Sequence, residues 1–197
     1  MPTPRQWAAK GKVRRVTRWN EPVMHGPTRP VTEFGDELHQ LIADMFATME
    51  RAEGVGLAAP QVAVDLSLFI YHCPDDHDRL RHGVVCNPAV TLPEGNDRRL
   101  DSTEEGCLSW PGAYQPLARP DRAICEGVDE NGEPVRIEAT GLLARCVQHE
   151  TDHLSGTVFG DRLSTRSRRL LDQQKRQAAH LYPDDWPISP KGTRSAM

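Results

Sequence analysis

The chain has 197 residues, of which 38% are hydrophobic and 26% are charged, and its formal net charge is −4. This length suits one folded domain with a hydrophobic core and is too short for two domains of ordinary size. The net charge gives no electrostatic case for specific DNA binding, and no apolar run approaches the roughly 20 residues that a membrane span requires.

The two ends of the chain differ in composition from its middle. Residues 1–20 contain six Lys and Arg and no acidic residue, without the apolar stretch of a secretory signal. We expect a flexible basic arm here, one folded domain over residues 21–181, and a disordered tail at residues 182–197, which contain three prolines. Five irregularly spaced cysteines without a CxxC pair indicate reduced thiols, as in a cytoplasmic protein.

The first predicted elements are one helix and several strands. Apolar residues between Thr32 and Glu53 recur at helical spacing and predict an amphipathic helix that ends at Gly54. The segments LSLFIYH and GVVCNPAVTL are short and rich in branched apolar residues, which is typical of strands. Within residues 122–139, apolar and polar side chains alternate on both sides of Asn131-Gly132. This pattern predicts a β-hairpin with a tight turn.

Two further helices are predicted in the last third of the chain. Residues 141–154 have apolar side chains on most sides and predict a buried helix, and a polar, basic helix follows from Thr165 to about Leu181. Because the strands come first and do not alternate regularly with helices, the fold class is α+β. We expect antiparallel or mixed β-sheets around a central helix.

That central helix contains His149, Glu150 and His153 in the pattern HExxH. Residues four apart lie on one face of a helix, so both imidazoles can bind one divalent cation. Glu150 can then take a proton from a water molecule whose pKa the cation lowers. HExxH also occurs by chance in exposed helices, but two histidines in a buried helix need polar partners, which favours a metal site.

The third metal ligand has two candidates. A histidine often follows downstream, but Phe159 occupies that position and cannot coordinate, which leaves Asp161 as the downstream candidate. Upstream, Cys107 in EEGCLSWPG offers a thiolate that suits zinc or ferrous iron, although a lone cysteine is more often a small buried hydrophobe. The segment GVGLAAPQ adds small residues that permit close backbone approach, and Gln61 as an amide donor.

The segments GVGLAAPQ, EGCLS and QHETDHLSG stand in this order and together resemble the peptide deformylase family over roughly residues 20–175. The resemblance implies a peptide-deformylase-like fold with the HExxH helix at its centre. It also implies hydrolysis of the formyl group from the N-terminal methionine of newly synthesised polypeptides in the bacterial cytoplasm, with release of formate. Family members commonly use ferrous iron and also accept zinc, nickel or cobalt, so the sequence does not choose the metal.

The resemblance also implies a role for individual residues. The implied metal ligands are Cys107, His149 and His153. The implied catalytic groups are Glu150 as general acid and base, and Gln61 with the backbone N–H of Leu108 as donors to the oxyanion. The implied substrate-binding residues are Gly56 on the peptide backbone, and Val55, Leu142 and Cys146 around the methionine side chain.

Some features leave the details of function open. Thr103 and Arg145 stand where family members often have more apolar residues, near the implied methionine pocket. The basic helix after Arg162 corresponds to a segment that docks on the ribosome in some members, and a solvated helix is the alternative.

Two other functions would fit part of the pattern. A metalloprotease would use Asp161 as third ligand and would not need Cys107 for metal binding. A non-catalytic protein would use the Cys/His/His site to hold its fold or to sense metal, and would not need Glu150.

Overall fold

The computed structural model describes residues 1–192 of the chain. The helices are α1 (Pro4–Ala8), α2 (Asp36–Arg51), α3 (Gly141–Leu154) and α4 (Thr165–Ala178). The strands are β1 (Gly56–Ala58), β2 (Leu68–Pro74), β3 (Leu80–Thr91), β4 (Leu100–Asp101), β5 (Glu104–Gly106), β6 (Tyr114–Pro116), β7 (Arg119–Pro120), β8 (Arg122–Val128) and β9 (Pro134–Thr140). The α+β prediction is confirmed.

The main sheet has five antiparallel strands in the order β1-β2-β3-β8-β9. Strands β8 and β9 form the predicted hairpin, and Gly132 in its turn has φ +85°. Two small sheets, β4 with β7 and β5 with β6, lie outside the main sheet. The pair β5–β6 holds the segment that leads directly into Cys107.

Helices α2 and α3 cover opposite faces of the main sheet. Successive side chains of a strand point to opposite faces, so Ile70 packs with α2 whereas Phe69 and Tyr71 pack with α3. Helix α3 is therefore enclosed on most sides, as its sequence predicts, and its polar residues lie inside the protein. No helix within residues 1–192 is both long and apolar enough to cross a membrane.

The N-terminal segment is folded, in contrast to the flexible arm that we expected. Thr3 and Gln6 form a capping box that starts α1, and Trp7 stacks on Phe46 of α2 with ring centroids 6.4 Å apart. The backbone N–H of Thr17 donates to the Gln61 carbonyl at 2.8 Å. Trp7 thus belongs to the same core cluster as α2, and Val16 packs in a separate cluster with Ala52 and Trp186.

Most of the expected disordered tail is also folded. The backbone N–H of Val16 donates to the Trp186 carbonyl at 3.0 Å, and Arg18 Nη2 donates to the Pro183 carbonyl at 2.7 Å. The Trp186 side chain is buried. Partners from the other end of the chain hold this segment, which its proline content does not reveal. Residues 193–197 of the expected tail lie outside the described part of the chain.

The N-terminal segment should make stability depend on the ionisation of Asp44. Burial opposes this ionisation, but hydrogen bonds from the Lys12 backbone and from the Arg14 and Gln40 side chains lower the pKa of Asp44 below its usual value. A lowered folded-state pKa stabilises the protein at neutral pH, and this contribution is lost as pH falls through that pKa. We expect Asp44→Asn to lower the free energy of unfolding at pH 7 by about 1–2 kcal/mol.

Urea denaturation at pH 7 and at several values below pH 4 measures this difference, which should shrink as the pH falls. Asp97→Asn is the matched control because Asp97 is exposed. A constant difference between the Asp44→Asn variant and the unmodified protein at every pH would contradict the prediction.

Candidate active site and metal centre

Three predicted ligand atoms converge beside α3. His149 and His153 are about one helical turn apart on α3, and their Nε2 atoms lie 3.2 Å from each other. Cys107 Sγ, from the segment after β5, lies 3.4 Å from His153 Nε2. All three ligand atoms lie within 4.8 Å of one another, and the three residues are buried.

This arrangement fits a metal ion. A carboxylate only accepts hydrogen bonds, so the 2.7 Å contact between His149 Nδ1 and Glu105 places a ring proton on Nδ1, and Nε2 is then the nitrogen that can bind a metal ion. Tetrahedral metal–nitrogen and metal–thiolate bonds of about 2.0–2.3 Å place neighbouring ligand atoms roughly 3.3–3.7 Å apart. The separations of 3.2 Å between the two Nε2 atoms and 3.4 Å between His153 Nε2 and Cys107 Sγ are close to these values.

The electrostatic environment also favours a cation. Burial opposes ionisation of His149, but the negative charges of Cys107 and Glu105 raise its pKa well above the usual value. Burial lowers the pKa of His153, which keeps that ring neutral and able to donate a lone pair. The negative potential that raises the pKa of His149 also favours a divalent cation, which would displace the proton from His149 Nε2, and His153 offers a free lone pair to the same ion.

Glu105 supports the metal centre, and the sequence analysis missed it. Its carboxylate accepts two hydrogen bonds from Arg119, both at 2.7 Å, and a third from Arg145 at 2.8 Å. Burial would raise the pKa of Glu105, but His149 and Arg119 lower it far below its usual range. A histidine ligand usually donates its second N–H to a carboxylate, so the acidic pair just before Cys107 was the available signal.

The two unusual residues Thr103 and Arg145 belong to one hydrogen-bonded chain. The Thr103 backbone and hydroxyl donate to the Asp101 carboxylate at 2.8 and 3.1 Å, and Arg145 Nη2 lies 3.4 Å from that carboxylate. Arg145 then reaches Glu105. These polar residues therefore brace the carboxylate that orients His149.

Glu150 lies in a space that only glycine leaves open. A Cβ atom on Gly56 would stand 2.5 Å from Glu150 Oε1 and 2.7 Å from Cys146 Sγ. Among residues 1–192, no hydrogen-bond partner contacts Glu150 Oε2, although this atom is buried. Burial raises the pKa of Glu150 to about 7, so its carboxyl group can exchange a proton near neutral pH.

The predicted oxyanion donors lie next to Cys107. Gln61 Oε1 accepts from the Ala58 backbone N–H at 2.9 Å, which turns Gln61 Nε2 toward Cys107 Sγ at 3.7 Å and Ser109 Oγ at 3.3 Å. Within residues 1–192, no backbone hydrogen bond uses the N–H of Leu108.

A cavity of about 520 Å³ joins these groups. Val55 and Leu142 lie at its exposed edge, with 43% and 41% of their surface accessible, whereas Cys146 is buried. Of the predicted site residues, only His153 does not line this cavity, because it lies fully buried behind it.

Asp161 belongs to a different part of the structure. Its Oδ2 accepts from the Val158 backbone N–H at 3.0 Å, and its Oδ1 lies 3.3 Å from Arg168 Nη1. Among the described residues, the group that could hold a metal ion contains Cys107 and does not contain Asp161. The metalloprotease alternative therefore loses its third ligand.

Known proteins are similar to this chain in both sequence and fold. The sequence profile of the polypeptide deformylase family matches residues 13–169. The chain belongs to the peptide deformylase family. Peptide deformylase 1 of Streptomyces avermitilis is 51% identical over 174 residues, covering 88% of this chain and 81% of the relative. Peptide deformylase 2 of the same organism is 48% identical, covering 85% of this chain and 89% of the relative.

Solved structures of family members have the same fold. The peptide deformylase from Legionella pneumophila superposes with a TM-score of 0.75 at 36% identity, covering 86% of this chain and 96% of that chain. The enzyme from Synechococcus elongatus in complex with actinonin gives 0.72 at 36% identity, covering 86% and 92%. This member of the family is a metal-dependent hydrolase that removes the formyl group from the N-terminal methionine of new polypeptides.

Removal of the Glu105 charge should weaken metal binding. We expect Glu105→Gln to lower metal affinity by about 10- to 100-fold, because a neutral amide orients His149 less firmly and reduces the negative potential. Chelator competition with Zn²⁺ measures the affinity, and circular dichroism checks that the variant is folded. Glu104→Gln is the matched control, since Glu104 is exposed beside Glu105, and Cys107→Ala should abolish binding. Unchanged affinity in a folded Glu105→Gln variant contradicts the assigned role.

Proposed function

We propose that deformylation is carried out by one set of residues around the cavity, with formyl-methionyl nascent polypeptides as substrates. The set comprises Gln61, Cys107, Leu108, His149, Glu150 and His153. The observation that carries this proposal is the convergence of three metal ligands, a buried carboxyl group and an amide donor at one cavity.

Cys107, His149 and His153 would hold the metal ion. When bound, a divalent cation lowers the pKa of water and polarises the formyl oxygen. Glu150 takes the proton of the attacking water and delivers it to the departing amine nitrogen. Its pKa of about 7 suits both transfers, because the group can be found in either protonation state at neutral pH.

Gln61 and Leu108 stabilise the charge that develops on the formyl oxygen. The contact of Gln61 Oε1 with Ala58 fixes the amide, so its Nε2 donor is oriented before the substrate arrives. A backbone N–H such as that of Leu108 needs little reorganisation. Each pre-placed donor is worth about 3 kcal/mol in the transition state.

Four residues position the substrate. Val55, Leu142 and Cys146 provide apolar surface for the methionine side chain, and Gly56 lets the peptide backbone approach closely. Cys146 Sγ is oriented by a 3.7 Å contact with the Val55 carbonyl, so two of these residues support each other.

We assign ferrous iron as the metal in the cell, with zinc, nickel and cobalt as substitutes. A thiolate and two imidazoles suit all four ions, so availability decides among them. The cytoplasm is the proposed location, and the five cysteines, which are all free, agree with a reducing compartment.

Helix α4 is the proposed contact with the ribosome. Arg166, Arg169 and Arg176 are exposed, and charged side chains of this kind bind RNA phosphates. Arg168 is less free to bind RNA phosphates, because its guanidinium already has partners within the protein. It lies 4.3 Å from the centre of the Trp110 ring and 3.3 Å from Asp161.

The central prediction concerns Glu150. We expect Glu150→Gln to reduce formate release by about 10³-fold or more while the metal stays bound, because the amide cannot transfer the proton. Formate release from a formyl-Met-Ala peptide is measured with anaerobically purified, iron-loaded enzyme, and metal content is measured in parallel. A fully active Glu150→Gln variant would contradict the proton-transfer role of Glu150, whereas a wild-type protein without formate release would support the non-catalytic alternative and overturn the proposed function.

Charge reversal on α4 should abolish ribosome binding. We expect the triple variant Arg166→Glu, Arg169→Glu and Arg176→Glu to stop co-sedimenting with ribosomes at low salt, with formate release from free peptide unchanged. The control reverses the same number of exposed charges elsewhere, at Arg5, Lys10 and Arg98. Equal ribosome binding by both triple variants would contradict the proposed contact and favour the alternative that α4 is a solvated helix.

A further inference from the structure

The C-terminal segment extends beyond the family match and still reaches the active-site cavity. The family profile ends at residue 169, whereas residues 182–191 contribute to the wall of the cavity. The contributing side chains are Tyr182, Trp186, Pro187, Pro190 and Lys191.

Buried contacts hold this segment in place. Trp186 packs in one cluster with Val16, Ala52 and the side chain of Leu108. Tyr182 lies against the loop after β5, where a Cβ atom on Gly112 would stand 2.8 Å from its ring. The segment therefore connects the end of α2 with the loop that carries the proposed oxyanion donor.

Lys191 of the segment adds a positive charge to the edge of the cavity, where Arg51 at the end of α2 also lies. Arg51 Nε donates to the Pro187 carbonyl at 3.3 Å, and Lys191 Nζ lies 5.3 Å from the centre of the Tyr182 ring. Both side chains are exposed and line the cavity. Two exposed carboxylates, Glu53 and Glu104, line other parts of the same edge.

A polypeptide substrate must cross this edge. In the proposed function its formyl group lies at the buried end of the cavity, beside His149 and Glu150, and the chain beyond the methionine has to leave toward solvent. The exposed lining at the open end includes Pro190 and Lys191. The residues that follow the methionine are therefore the part of the substrate within reach of the C-terminal segment.

We propose that residues 182–191 form an additional wall of the substrate cleft, which contacts the peptide residues that follow the formyl-methionine. Lys191 favours acidic side chains at those positions. The inference rests on the proposed function of the cavity and adds a determinant of specificity outside the matched region.

The test compares formate release from formyl-Met-Ala-Asp-Asp and formyl-Met-Ala-Lys-Lys, with formyl-Met-Ala as the reference substrate for each enzyme. The full-length protein is assayed as wild type, Lys191→Met, Lys191→Glu and the control Lys10→Glu. Reversal of Lys10 makes the same change of net charge as reversal of Lys191. Because Lys10 is exposed and does not line the cavity, this change should not affect the substrate.

We expect the ratio of kcat/KM for the acidic over the basic peptide to fall about three- to tenfold in Lys191→Glu, with Lys191→Met intermediate. The ratio should stay at the wild-type value in Lys10→Glu, and the Lys191 effect should decrease with added salt. Identical ratios in all four enzymes overturn the proposal. Absence of formate from formyl-Met-Ala with wild-type enzyme is a separate outcome, which rejects the proposed function itself.

Discussion

The buried carboxylate of Glu105 is the interaction on which the active site depends. It joins β5 to α3 by accepting hydrogen bonds from His149 and Arg145, and it binds Arg119 as well. A buried carboxylate is costly unless its oxygens are satisfied, and these partners satisfy it. Because Cys107 follows Glu105 closely in the chain, the contact that orients His149 also places the Cys107 sulfur beside it. One ionised group thus sets the relative position of proposed metal ligands from two elements.

The enclosure of α3 explains how this polar site exists inside a small protein. The helix packs on the main sheet through Leu143 and Val147, so the face with the histidines is held rigidly and away from solvent. Most polar atoms on that face have partners. Glu150 Oε2 and His153 Nδ1 are two of the buried side-chain atoms that have no partner among residues 1–192. A buried polar atom without a partner lowers stability, and at a functional site it can be retained because the chemistry needs it.

The sequence predicts the elements and motifs well because these depend on local patterns. The predicted bounds of α3 match the structure, and α2 lies within its predicted range because one apolar face produces the helical period. The resemblance supplied the residues that line the cavity. Local patterns do not report which distant side chains meet.

The role of Arg145 illustrates this limit, since its burial beside Glu105 and Asp101 depends on strands far along the chain. The folded ends of the chain illustrate the same limit of local sequence patterns. Trp7 and Trp186 stand in short segments of polar or proline-rich composition, and their burial comes from partners elsewhere in the sequence. Composition alone therefore indicated disorder at both ends, where the structure has packed residues.

The folded tail has a consequence for how local unfolding would affect the cavity. Trp186 and Lys191 line the cavity, and the segment that carries them is held by hydrogen bonds with Val16, Arg18 and Arg51. None of these partners belongs to α3, so a local opening of the segment would expose one side of the cavity without breaking the contact between Glu105 and His149. The enclosure of the cleft therefore depends on the stability of residues 182–191, separately from the stability of the candidate metal centre.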